Sequence, residues 1–306
     1  MKTYIKYFAG VLFAIGFLSC DKIDAPYRES SGGVTGRNDT VIISGDTIFF
    51  PLDLTTPAKK VLVEDYTGHT CGKCPFAGVY LNDTLKQIYG DKLVVISVHG
   101  GYFAEPCPPH TLPPGAPAGS FALDLRCQTS QDWYTTFAVS SNPNGMIDRI
   151  DYPASQLKTP DGWSAPLQAE SVLAPEMKIR IINHYNAATR ELKTGVYSKF
   201  LGNKTGTYKL TVVLIEDGII DWQLWDSPHA IEFDPAYLNH GVLRGGINGS
   251  FGSVIATGSI TNGTVNLIGY SYVLDNAWIA SNCKVVAFVY DETNYKVLQV
   301  EEADVE

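Results

Sequence analysis

Past its first twenty residues the chain has no apolar run approaching the roughly 18 to 20 residues that a membrane-spanning helix needs. It also lacks any long acidic or basic stretch. Its net charge of −9 is spread along the sequence, which argues against nucleic acid as a partner and indicates an ordinary solvated surface. Charged residues make up only 18% against 45% hydrophobic ones, so 306 residues hold enough apolar material for about two globular domains. Cysteine is scarce, with six in all, at positions 20, 71, 74, 107, 127 and 283.

The front of the chain explains where those cysteines work. Lys2 and Lys6 precede an apolar core from Phe8 to Leu18, and the small Ser19 then precedes Cys20, as in a secretory signal with a cysteine at its cleavage site. Export takes the other cysteines out of the reducing cytosol. The segment resembles the lipobox of bacterial lipoproteins. That resemblance implies removal of residues 1–19, a diacylglyceryl group on the sulfur of Cys20, and a body held to the membrane by lipid. An ordinary secreted protein with an incidental Cys20 is the alternative. Residues 20–58 then read as a tether, with Ser30-Ser31-Gly32-Gly33 inside it, and a short hairpin: Val41-Ile42-Ile43 and Ile48-Phe49-Phe50 across Ser44-Gly45-Asp46.

The chain is organised around residues 59–101. An apolar run (Val61, Leu62, Val63) leads into Cys71-Gly72-Lys73-Cys74-Pro75, a helical pattern follows (Val79, Leu81, Leu85, Ile88, Tyr89), and a second apolar run covers Leu93 to Val98. Two cysteines in C-x-x-C spacing where a strand hands over to a helix are what thiol–disulfide chemistry requires. The helix N-terminus favours a thiolate on Cys71, and Cys74 lies about one turn on, ready to resolve a mixed disulfide. Asp65, six residues before Cys71, would be the general base for Cys74 if burial raised its pKa, with Glu64 the substitute because one sequence does not fix the strand's register. Lys73 and His69 either favour the thiolate or face solvent.

The segment Val61 to Val98 resembles the thioredoxin fold, in which Asp65 falls where a buried carboxylate moves protons for the second cysteine. The same resemblance implies a cis-proline opposite the dithiol, and Asn142-Pro143 before Met146-Ile147 matches that place as a substrate-docking turn. Thr70 and Lys73 depart from the family's usual tryptophan and proline, which leaves the redox potential open. Between these parts, residues 102–128 are too rich in proline for a helix or central strand and read as an insertion. Cys107 and Cys127 are expected to close it as a structural disulfide whose loop-entropy effect is about 3 kcal/mol; a second redox pair is the alternative. A zinc set of Cys71, Cys74, Cys107 and His110 explains the dithiol less well, and no metal or cofactor is expected.

From Glu176 onward strand patterns alternate with turns: Met177 to Tyr185, Leu192 to Phe200, Tyr208 to Glu216, Val265 to Leu274, Val285 to Tyr290 and Val297 to Val300. The expected architecture is an α/β thioredoxin-like domain over 59–175 with its insertion, followed by an antiparallel β-sandwich domain over 176–306. Trp222 to Ser253 reads as a long irregular loop that covers the other domain or binds a partner. His229 and His240 within it fit surface or packing roles better than metal binding. Cys283 is the odd cysteine, a buried small hydrophobe.

The mature chain as a whole resembles the outer-membrane lipoproteins of Bacteroidetes named for a 28-kilodalton outer membrane protein. Glu64 to Pro75, Asn142 to Arg149, Glu216-Asp217 and His240 to Gly245 carry the likeness. It implies a lipid-anchored envelope protein with a thioredoxin-like domain. The function expected is thiol–disulfide exchange on protein thiols or disulfides, served by an envelope redox partner; the rival is a binding protein or adhesin whose Cys71–Cys74 bond is structural.

Overall fold

The computed structural model describes residues 39–306. The signal segment and Cys20, with the lipid expected there, lie outside the described residues. The expected strand, helix and strand are present as β3 (Val61–Thr67), α1 (Cys74–Val79) and β4 (Leu93–His99); α1 continues through a π-helical turn into α2 (Lys86–Tyr89). After the proline-rich segment come α3 (Gln128–Thr136), β5 (Asn144–Ile147) and α4 (Ser164–Ser171). All six strands read from the second half form: β6 (Met177–Asn186), β7 (Glu191–Phe200), β8 (Lys204–Glu216), β13 (Val265–Val273), β14 (Cys283–Asp291) and β15 (Val297–Asp304). The segment expected to be irregular holds four more, β9 (Ile219–Leu224), β10 (Phe233–Asn239), β11 (Val242–Gly246) and β12 (Ser253–Ile260).

These elements do not assemble as a thioredoxin-like domain followed by a separate antiparallel sandwich. The described residues are β-rich, with few and short helices among them, and one mixed sheet of eight strands runs in the order β15-β14-β8-β11-β4-β3-β5, with β12 also paired to β8. The reason lies at β4. Left with β3 alone, β4 would present a bare edge of unpaired backbone groups. Instead β11 enters beside it, parallel to β4 and antiparallel to β8; Ser97 donates its N–H to Gly241 O (2.8 Å) and its hydroxyl to His240 O (2.7 Å). Strands from residues 59–175 and 176–306 thereby share one sheet.

One face of this sheet buries Leu62, Tyr66, Val94, Ile96, Val213, Leu243 and Phe288 against Trp133 and Phe137 from α3 and its C-terminal end. The other face is covered in two parts. Val61, Val63, Leu93 and Val95 lie under Ala77, Leu81 and Leu85 of the α1 helical stretch and Leu167 of α4. At the far end, Leu210, Val212, Val285 and Val289 pack against Met177, Leu192 and Val196 of a second sheet, ordered β13-β7-β6.

The expected N-terminal hairpin is present as β1 (Asp39–Ile43) and β2 (Asp46–Phe50), closed by Ser44 and Gly45, both left-handed (φ 48° and 80°), which suits the twist of a two-residue turn. Its buried face (Ile43, Ile48, Phe50) lies on the outer side of the second sheet, over the cross-strand pair Gly195 and Gly269. A Cβ on Gly269 would come within 2.4 Å of the Ile43 side chain, and one on Gly195 within 2.9 Å of the Phe50 ring. The double variant Gly195→Ala, Gly269→Ala is therefore expected to lose about 1–3 kcal/mol by overpacking, read as a lower midpoint in thermal unfolding.

Candidate functional site

Strand β3 is buried on both faces from Val61 to Tyr66, and its alternation decides between the two acids. Val61 and Val63 point to the side covered by α1, so Asp65 points there too, whereas Leu62, Glu64 and Tyr66 point to the side of α3. Glu64 is consequently not at the dithiol. It is wholly buried and gripped by the guanidinium of Arg149, with Nη2 to Oε1 at 2.6 Å and Nε to Oε2 at 2.9 Å. Asp65 has no such partner: its Oδ1 is buried without a hydrogen bond, and burial pushes the carboxyl up to about 7. Burial, and after it the charge of Asp65, holds the Tyr237 phenol well above its ordinary range.

Cys71 and Cys74 form a disulfide across the start of α1, with 5.4 Å between their Cα atoms. Both are buried, 3% and 1% exposed, and the cover is the segment read as a long loop. Strands β9 and β10 pair antiparallel, and the chain leaving β9 lies on the dithiol loop. Leu224 donates its N–H to His69 O and Asp226 to Gly72 O, each at 2.8 Å. The Gln223 amide reaches Cys71 O at 3.2 Å and Leu224 O at 3.0 Å. Gly72 is required by this closeness, since a Cβ there would meet the Asp226 carboxylate at 2.0 Å; Gly78 on α1 likewise leaves room for the Tyr237 hydroxyl. Trp225 closes the outside, edge-on to Phe76 (5.0 Å) and stacked on His229 (3.9 Å). The proline-rich segment seals the other side, where Phe103 O accepts from both the N–H and the hydroxyl of Thr70, and Glu105 O accepts from Nε2 of His69 (2.9 Å).

Because that carbonyl can only accept, the His69 ring carries its proton on Nε2 when neutral, and Nδ1 faces Asp221 Oδ2 at 3.6 Å. Nearby His99 is pushed down to about 3 by burial and by the charges of His69 and Arg244, so it stays neutral. No group of three or more histidines, cysteines or acids is placed to hold a metal among the described residues. His110 faces Glu105 (3.4 Å), and His240 pairs with Asp217 (2.7 Å).

Three other expectations resolve separately. The Cys107–Cys127 disulfide does not form. Cys107 is a buried thiol whose N–H bonds Phe121 O, and Cys127 caps α3, its sulfur accepting from the N–H of Ser130 at 3.4 Å. The two are held by different local frameworks, and burial raises both thiols. Cys283 is a free, buried thiol at the start of β14, pushed up to about 12 by burial and by Glu216. The Asn142–Pro143 peptide is cis and leads into β5, whose Asn144 pairs with Tyr66 and Gly145 with Asp65; Asn142 accepts from the Tyr134 hydroxyl at 3.2 Å.

The residues sequence reasoning missed are Gln223, Asp221 and Tyr237 on the cover. Alternation in Ile219 to Leu224 was the one signal for Asp221 and Gln223, and Pro228 and Pro235 masked the hairpin that carries Tyr237: the β9–β10 register slips between Asp234 and Tyr237, around Pro235.

No curated protein matches this sequence. Among solved structures, a domain of the outer membrane lipoprotein Omp28 from Porphyromonas gingivalis is 22% identical over 44% of this chain and 92% of its own, with a TM-score of 0.30. The sporulation control protein Spo0M from Bacillus subtilis is 12% identical over 42% of this chain and 46% of its own, with a TM-score of 0.23. Overlaps of that quality carry no argument about fold or chemistry. The model of the outer membrane protein Omp28 family matches residues 130–306, more than half of the sequence, beginning after the disulfide. The chain belongs to the Omp28 outer membrane protein family, and its place is the outer membrane of the cell envelope.

Proposed function

We propose that this protein is a lipid-anchored binding component of the outer membrane in which Cys71–Cys74 is a structural tie. The observation that supports this reading is enclosure: both sulfurs are buried, and backbone hydrogen bonds from Leu224 and Asp226 and the amide of Gln223 fasten the cover over them. Exchange requires in-line approach of a thiolate to sulfur, and such a cover denies it.

A second reading is favoured by one residue. Asp65, buried and unpaired on the face that carries α1, is suited to accept the proton of Cys74. In that reading the reduced Cys71 thiolate attacks a protein disulfide and releases one substrate thiol. Cys74, its proton passed to Asp65, then displaces the second, leaving Cys71–Cys74 oxidised until an envelope dithiol partner reduces it. Asn142 and Pro143 would dock the substrate backbone.

A glutathione titration of the full chain separates the two. The structural tie is expected to stay oxidised to below about −300 mV and to resist iodoacetamide labelling until the protein unfolds. Reversible exchange between about −120 and −270 mV, with Cys74→Ser trapping mixed disulfides, would establish the second reading instead.

A further inference from the structure

The β1–β2 hairpin carries an apolar face that the described residues leave uncovered. Ile43, Ile48 and Phe50 point into the second sheet, so the alternate positions point away from it, and these are Thr40, Ile42, Thr47 and Phe49, with no charge among them. Ile42 is 72% exposed and Phe49 48%. The chain beyond β2 is tied along β6: Lys178 pairs with Asp53 (2.8 Å) and donates to Thr55 O (2.7 Å), and Arg180 donates to Pro51 O (2.7 Å). With Asp53 and Thr55 turned toward β6, Leu54 between them is turned outward and is 85% exposed. Three large apolar side chains are thus mounted firmly, pointing away from the same sheet.

The position of this face in the chain identifies what covers it. Asp39 begins the described fold and stands nineteen residues after Cys20. That length reaches at most about 65 Å however it is arranged, so among the described elements the hairpin stands nearest the anchor point along the chain. A weak apolar contact there acts at high effective concentration. We propose that the face formed by Ile42, Phe49 and Leu54 seats on the phospholipid surface of the membrane to which the chain is anchored. This rests on the lipid-anchor reading. The seat is shallow and apolar, fixing the orientation of the body on the bilayer as interfacial side chains do.

The test uses the full lipidated chain in phosphatidylethanolamine–phosphatidylglycerol vesicles whose acyl chains carry bromine. Phe49→Trp places a reporter in the face, and Val172→Trp places one at another strongly exposed apolar position, past the end of α4. Bromination is expected to remove about a third or more of the added emission from Phe49→Trp and to leave Val172→Trp unchanged, with no loss of quenching in high salt. Adding Ile42→Asp and Leu54→Asp should restore the Phe49→Trp emission while the protein still floats with the vesicles. Equal quenching of the two reporters overturns the proposal. So does an unquenched Phe49→Trp on protein that floats, including the case where the face pairs with a second copy; the anchor reading would survive that result. Failure of the unaltered chain to float overturns the anchor and the seat together.

Discussion

Replacing Arg149 by methionine is expected to cost about 3–5 kcal/mol in urea unfolding at neutral pH, the cost of leaving a buried carboxylate without its partner. Both side chains of the Glu64–Arg149 pair are fully buried, and the two bonds are parallel, fork against carboxylate. The guanidinium also lies over four rings, Phe137 at 4.6 Å, Phe288 at 4.9 Å, Trp133 at 5.0 Å and Tyr290 at 5.5 Å, so methionine forfeits cation–π attraction as well as charge. The backbone is shaped for this contact: Asp148 and Arg149 are both left-handed (φ 45° and 51°), turning the chain after β5 so that Asp148 reaches Lys59 at 2.5 Å and Arg149 reaches Glu64. The double variant Glu64→Leu, Arg149→Met should recover most of the loss, because the penalty comes from the orphaned charge. A double variant as unstable as Arg149→Met alone would show that the rings, and not the carboxylate, are what the arginine holds together.

That pair also shows what the sequence could and could not disclose. Strand β3 was legible from Val61 to Val63 and its helix from the spacing of Leu81 and Leu85, because those patterns have the period of the element they form. The choice between Glu64 and Asp65 was not, since every residue from Val61 to Tyr66 is buried and no polar alternation marks a solvent side. Six strands of the second half were legible, though β8 begins four residues earlier and β15 ends four residues later than their patterns suggest, and the architecture was misjudged. What joins the two halves is β11, five residues ending in two glycines, and no local pattern tells such a strand that its neighbour is β4, more than a hundred residues earlier. The long segment after Trp222 was expected to cover the other domain or bind a partner, but neither its closure over the disulfide nor its form was legible. Prolines at 228 and 235 interrupt the strand signal there, while the bulge that accommodates Pro235 is a property of the paired hairpin.

Asp65→Asn is expected to change the pH dependence of stability strongly on the alkaline side. In the folded chain the Asp65 carboxyl is held at about 7 by burial, while in the unfolded chain it returns to near 4. The folded state therefore binds the proton more tightly. Its advantage is complete below about pH 4, declines as pH rises through the window between the two values, and is gone above about pH 7. Three pH units at about 1.4 kcal/mol each put the loss near 4 kcal/mol. Asparagine does not titrate, so the variant should unfold at similar or lower denaturant than the parent near pH 4 and at clearly higher denaturant at pH 8. The difference between the two chains is the quantity to read, because Asp148, raised to about 6 by burial against the pull of Lys59, adds its own slope to both. Parallel stability curves would mean that Asp65 is ionised in the folded protein and has found a partner. The proton it was to take from Cys74 would then have no acceptor there, and only the structural reading of the disulfide would stand.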